Sequence, residues 1–149
     1  MNRKSENIFF IIKFLIAGIF LFAGISKLIN PLAFVDSIDN YRLLPYLLVT
    51  FFAIVLPWVE ILGAVFILIG KWKKGAALIL VMLSFVFLIA VGSALFRGLD
   101  ISCGCFIAGE NATKIGITKL IENIFLLGMT VGYYLKVINE FSLKSLKKL

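Results

Sequence analysis

The chain has 149 residues, of which 62% are hydrophobic and only 15% charged, and its mean hydropathy is +1.08. Soluble domains carry about 25% charged residues, and a soluble chain this short cannot hide so much apolar surface, so the composition excludes a soluble protein and points to one integral membrane unit. The net charge of +7 raises nucleic acid as a partner, but the basic residues sit at the ends of apolar segments, as cytoplasmic flanks do; membrane lipid is the expected surrounding and nucleic acid is not a partner.

Met1 to Asn7 is polar and basic, with Arg3 and Lys4. An apolar run over 8–29 follows, long enough for a span, which needs about 20 residues. It ends in Ser26-Lys27-Leu28 rather than in a small-x-small cleavage site, so a transmembrane helix is expected and not a cleaved signal peptide. Asn30-Pro31 should cap and start a short helix lying at the interface. Phe34, Val35, Ile38 and Tyr41 share its apolar face; Asp36, Ser37, Asp39 and Asn40 lie on the other. The second span covers 45–70 and contains Pro57, which favours a kink. Lys71-Trp72-Lys73-Lys74 is a basic turn with an interfacial Trp. The third span covers 75–96 and the fourth 117–137, and a lysine-containing tail follows. The fold class is therefore all-α: a four-helix up-down membrane bundle in one domain over 1–149. Ala90/Ala94 and Gly128/Gly132 are small pairs that allow close helix packing.

Lys and Arg set the orientation. The N-terminal flank, the Lys71–Lys74 turn and the tail fall on one side, which places both termini in the cytoplasm. The segment 97–116 then faces the periplasm or the outside of a bacterial inner membrane. It holds both cysteines of the chain, as Cys103-Gly104-Cys105. The outer compartment is where disulfides form and persist.

A Cys-Gly-Cys pair closes on itself only if the chain bends, and Gly104 permits the bend. Such a small ring is strained, and strained disulfides are labile and oxidising. A bridge meant for stability would clamp distant segments instead. Cys103 and Cys105 are thus candidate catalytic residues of thiol–disulfide exchange, with Arg97 and Lys114 placed to favour a thiolate. A structural loop clamp is the plainer alternative. No metal is expected, because the chain has no histidine and only two cysteines, too few to close a zinc or iron–sulfur site.

Glu60 lies well inside the second span, where a carboxylate must be paired or neutral. Lys27, near the outer end of the first span, is one partner for it. Glu122, near the outer end of the fourth span, competes for Lys27, so Lys27 is expected to meet Glu60, Glu122 or both. These charges either fix the bundle or form a proton or quinone site. No cofactor is fixed by the sequence beyond that quinone alternative.

The ordered set Phe22-Ala23-Gly24-Ile25-Ser26-Lys27-Leu28, Tyr41-Arg42-Leu43-Leu44-Pro45, Leu56-Pro57-Trp58-Val59-Glu60 and Arg97-Gly98-Leu99-Asp100 leading to Cys103-Gly104-Cys105-Phe106 resembles the MauE branch of the MauE/DoxX redox-associated membrane proteins. The likeness runs over nearly the whole chain. It departs after Phe106, where Ile107-Ala108 precede Gly109. The resemblance implies a four-span bundle acting beside extracytoplasmic thioredoxin-like proteins and, in methylamine-utilising members, helping to mature a disulfide-rich dehydrogenase. The expected function is thiol–disulfide exchange with a thioredoxin-like partner through Cys103 and Cys105, with Lys27, Glu60, Arg97 and Glu122 in support. The alternatives are a non-enzymatic membrane subunit of a larger complex and a quinone-handling protein using Glu60.

Overall fold

The structure is a computed structural model and describes residues 3–43, 45–98 and 116–146. Among them five helices follow in order: α1 (Arg3–Ile29), α2 (Pro31–Asn40), α3 (Tyr46–Ile69), α4 (Lys73–Phe96) and α5 (Ile117–Leu146). Four of these, all but α2, are long and apolar enough to cross a membrane. Neighbours along the chain run antiparallel, with α1 packed on α3, α3 on α4, and α4 on α5.

Inward faces are narrow. Only 28, 33, 22 and 28% of the four apolar windows is buried inside the bundle, so most of each helix surface is apolar and uncovered. Leu47 is 83% exposed and Phe96 95%; hydrocarbon is the solvent that tolerates such a surface. The main core is built from Ile16, Ala17 and Phe20 of α1, Ala64 and Ile67 of α3, and Leu80 of α4, closed by Leu126 and Tyr133 of α5.

Local sequence explains where the helices stop. Pro45 is extended, with φ −66° and ψ 148°, and caps α3. The helix continues through Pro57. Gly70 ends it in the left-handed region at φ 80°, donating its N–H to Phe66 O at 3.0 Å, the conformation glycine adopts most readily at a helix end. Trp72 is also left-handed, at φ 54°, and its indole stacks on Phe66, 6.2 Å between centroids. That contact offsets part of the strain of a non-glycine residue there. Two left-handed residues within three thus reverse the chain, and Lys73 and Lys74 belong to α4 rather than to the turn. Similarly, α5 runs past 137 as far as Leu146.

The interfacial helix differs in detail from the sequence expectation. Pro31 does open α2, but the Asn30 side chain makes no capping bond. Ser37, assigned to the polar face, is buried. Its hydroxyl donates to Ala33 O at 2.8 Å, which removes the cost of burying it. Phe34 and Tyr41 are buried, with Phe34 against Ala53 of α3 and Tyr41 against Val91 and Ala94 of α4. The close approach of α1 to α3 also lies elsewhere than the Gly128/Gly132 pair suggested, while Ala94 is buried with Ala90 packed beside it. A Cβ on Gly128 or Gly132 would meet nothing within 4 Å, whereas one on Gly24 would lie 2.7 Å from Ile61 Cγ1 and 3.0 Å from Pro57 O.

Candidate functional site

Gly24 explains the central feature of the bundle. With no side chain at that position, α1 meets α3 at backbone distance beside Pro57 and Ile61. One turn along each helix, Lys27 and Glu60 face one another. They form a hydrogen-bonded ion pair, and both side chains are wholly buried. The lysine stem spans the difference in depth between the two residues. Its ammonium also lies 5.1 Å from the Phe34 ring centroid and 4.5 Å from that of Phe87, within the range of cation–π attraction. Side chains of α1, α2, α3 and α4 therefore surround one buried charge pair.

A buried pair is held by geometry, because desolvation opposes it. Here Glu60 Oε1 accepts a hydrogen bond from the Lys27 ammonium, while Glu60 Oε2 is buried and has no hydrogen-bond partner among the described residues. Asn123 of α5 is buried as well, and its Nδ2 donates to Lys119 O at 2.9 Å.

Glu122 is not part of this cluster. It pairs with Lys119 one turn away at 2.6 Å, with 43% of its side chain exposed. Proximity on one helix face decides this: the i,i+3 spacing brings Lys119 alongside Glu122, while Lys27 turns inward to Glu60. Lys119 and Glu122 line the loop-side end of an open groove of about 580 Å³ between α1 and α5, walled by Phe14, Gly18, Phe22 and Phe125.

Arg97 caps the C-terminus of α4, and its Nη1 donates to Tyr41 O at 2.9 Å. It thereby joins the end of α2 to the point where the chain enters the cysteine segment. Burial pushes the Tyr41 phenol above its usual range. Arg42 beside it is left-handed at φ 49°, so the α2–α3 corner is tightly specified. Cys103 and Cys105, with Lys114 and the rest of 99–115, lie outside the described residues.

Sequence reasoning missed Gly24, Phe34, Phe87 and Asn123 as parts of the centre. Asn123 was the findable one, an uncharged polar residue inside an apolar run. The aromatic flanks carry no signal that separates them from the rest of the chain's 15 phenylalanines.

Fold and site together define a multi-pass α-helical membrane protein with a paired charge at its centre. The chain belongs to the MauE family: the family model described as methylamine utilisation protein MauE matches residues 5–136. Methylamine utilization protein MauE of Methylophilus methylotrophus is 33% identical over 110 residues, 73% of this chain and 58% of the relative. Its namesake in Paracoccus denitrificans is 33% identical over 124 residues, 81% of this chain and 65% of the relative. The chain thus spans roughly three fifths of the length of these relatives. No solved structure matches it significantly.

Proposed function

We propose that this chain is the membrane component of a thiol–disulfide exchange system, working through Cys103 and Cys105 on an extracytoplasmic thioredoxin-like protein. One cysteine thiolate attacks the partner's disulfide, forming a mixed disulfide and releasing one partner thiolate. The second cysteine then attacks the mixed bond. The partner leaves as a dithiol and Cys103–Cys105 is left as a disulfide, so two electrons pass to the partner. The reverse sequence carries electrons the other way, and the two reduction potentials set the direction.

The observation that supports this reading is the antiparallel order of the bundle. The segment 97–116 leaves α4 and enters α5 at the end opposite the α3–α4 turn, where Lys71 of the turn and Lys73 and Lys74 at the start of α4 cluster. Basic turns stay cytoplasmic, so on this reading both termini are cytoplasmic and the thiols lie on the outer face of a bacterial inner membrane. Family membership is consistent with it, and the relatives' names supply methylamine utilisation as the setting in which to look for the partner. The test is capture in native membranes. Cys103→Ser and Cys105→Ser variants are quenched with acid, alkylated and run without reductant. One of them should accumulate a reducible adduct with a second protein. If neither does, and both support function, the chain is a passive subunit of a larger complex.

A bound quinone is a second reading, and the α1/α5 groove favours it. Its volume lies within the range of small-molecule sites, about 300–1,000 Å³, and Lys119 and Glu122 give it one donor and one acceptor at the loop-side end. Extracting the purified protein tests it: quinone should copurify with the wild type and fall in a Gly18→Leu variant that fills the groove. Absence from the wild type removes the reading.

A further inference from the structure

Glu60 and Asn123 sit on α3 and α5, which occupy a diagonal of the bundle and do not pack directly on one another. A small cavity separates their side chains. Its volume is about 10 Å³, and both residues line it. The rest of the wall is apolar, including Phe87 and Leu126. Oε2 of Glu60 is buried without a hydrogen-bond partner among the described residues, and a carboxylate oxygen in that position calls for a donor. Asn123 uses one Nδ2–H on Lys119 O; its amide has a second N–H and an oxygen acceptor besides.

We propose that this cavity is a binding site for a single water molecule that bridges Glu60 Oε2 and the Asn123 amide. Three features select the ligand. The volume matches the roughly 10–15 Å³ that one water requires, and the site offers polar partners on two sides. A metal cation is disfavoured by the Lys27 ammonium on the same carboxylate. An aromatic or quinone ring is excluded by size. The water donates one hydrogen to Glu60 Oε2 and engages the Asn123 amide through its second hydrogen or its lone pair. It turns the ion pair into a polar bridge from α1 through α3 to α5. Asn123 is then a positioning residue, holding the helix that follows the cysteine segment against the Lys27–Glu60 pair. This inference stands whether or not the thiols exchange.

The test uses the full chain in lipid nanodiscs. A high-resolution experimental structure should show one density peak within hydrogen-bond distance of both Glu60 Oε2 and the Asn123 amide. No peak there, or a protein donor on Oε2, overturns the proposal. Infrared difference spectra in H₂¹⁶O and H₂¹⁸O give an independent reading. An isotope-sensitive internal-water band should be present in the wild type and missing in Asn123→Leu and in the double variant Lys27→Met/Glu60→Leu. Equal isotope-sensitive bands in wild type and Asn123→Leu would also overturn it. Should Asn123→Leu fail to fold, the wild-type density decides.

Discussion

Replacing Lys27 by Met is the sharpest probe of the bundle centre. Both members of the pair are fully buried, so removing the ammonium leaves the Glu60 carboxylate with neither counter-ion nor bulk water. Breaking a buried pair on one side costs about 3–5 kcal/mol. The ring contacts with Phe34 and Phe87 change little in net, because the methionine sulfur also packs favourably on aromatic rings, by about 0.3–1.5 kcal/mol. The single substitution should therefore lower the melting temperature in bicelles by roughly 6–20 °C, on the entropy scaling of domains this long. Glu60→Leu should do the same by stranding the lysine. The double variant Lys27→Met/Glu60→Leu removes both desolvated charges and should return to within about 1 kcal/mol of wild type. Glu122→Gln is the control, since its half-exposed pair with Lys119 is worth under about 1 kcal/mol. The assay is a double-mutant cycle read by thermal unfolding and helix content. Additive losses from the two central substitutions would refute the reasoning, because residues that share one interaction must couple.

Further outcomes follow from the same geometry. Gly24→Ala should cost about 1–3 kcal/mol by overpacking, because the added carbon meets the Pro57 carbonyl at 3.0 Å as well as Ile61. Gly63→Ala meets only the Leu80 side chain and should cost less; the opposite order of melting temperatures contradicts the α1/α3 contact. Arg97→Gln removes the donor to Tyr41 O, worth about 1 kcal/mol at this exposed position. Amides at the α2–α3 corner should then exchange faster in deuterium exchange, and unchanged protection would show that the bond does not hold the corner. The raised Tyr41 phenol means the folded chain keeps that proton more tightly than the unfolded chain. Its contribution to stability is complete below the ordinary tyrosine pKa of about 10 and is lost as pH rises through the higher folded value. Tyr41→Phe should remove a late phase of phenolate absorbance and flatten the alkaline fall in stability; identical curves would rule out the burial argument.

The four apolar helices were legible because each carries a long hydrophobic run, and Pro31, Gly70 and Gly98 follow the first three. Such runs are a one-dimensional signal, needing no knowledge of neighbours. Family likeness was legible for the same reason, being carried by short motifs in fixed order. Which charge meets which is a three-dimensional question. Lys27 had two carboxylates at plausible depth, and the choice turned on Gly24, whose missing side chain lets α1 close on α3. Nothing in the local sequence marks Gly24 above Gly128 or Gly132, yet only Gly24 of the three faces a neighbouring helix. Ser37 shows the same limit on α2. A hydroxyl reads as polar by composition, but it satisfies itself on Ala33 O and packs inward. Asn123 was visible as a polar residue in a span, while its role needed the diagonal partner Glu60.

Labelling Cys103 and Cys105 with a membrane-impermeant maleimide bears most directly on the proposed function. Intact cells are treated after mild reduction, then compared with cells that have been lysed. The account predicts full modification before lysis, with protection restored when the cells are re-oxidised. Modification only after lysis would put the thiols on the cytosolic side, and the exchange proposed for them would have no extracytoplasmic partner to act on.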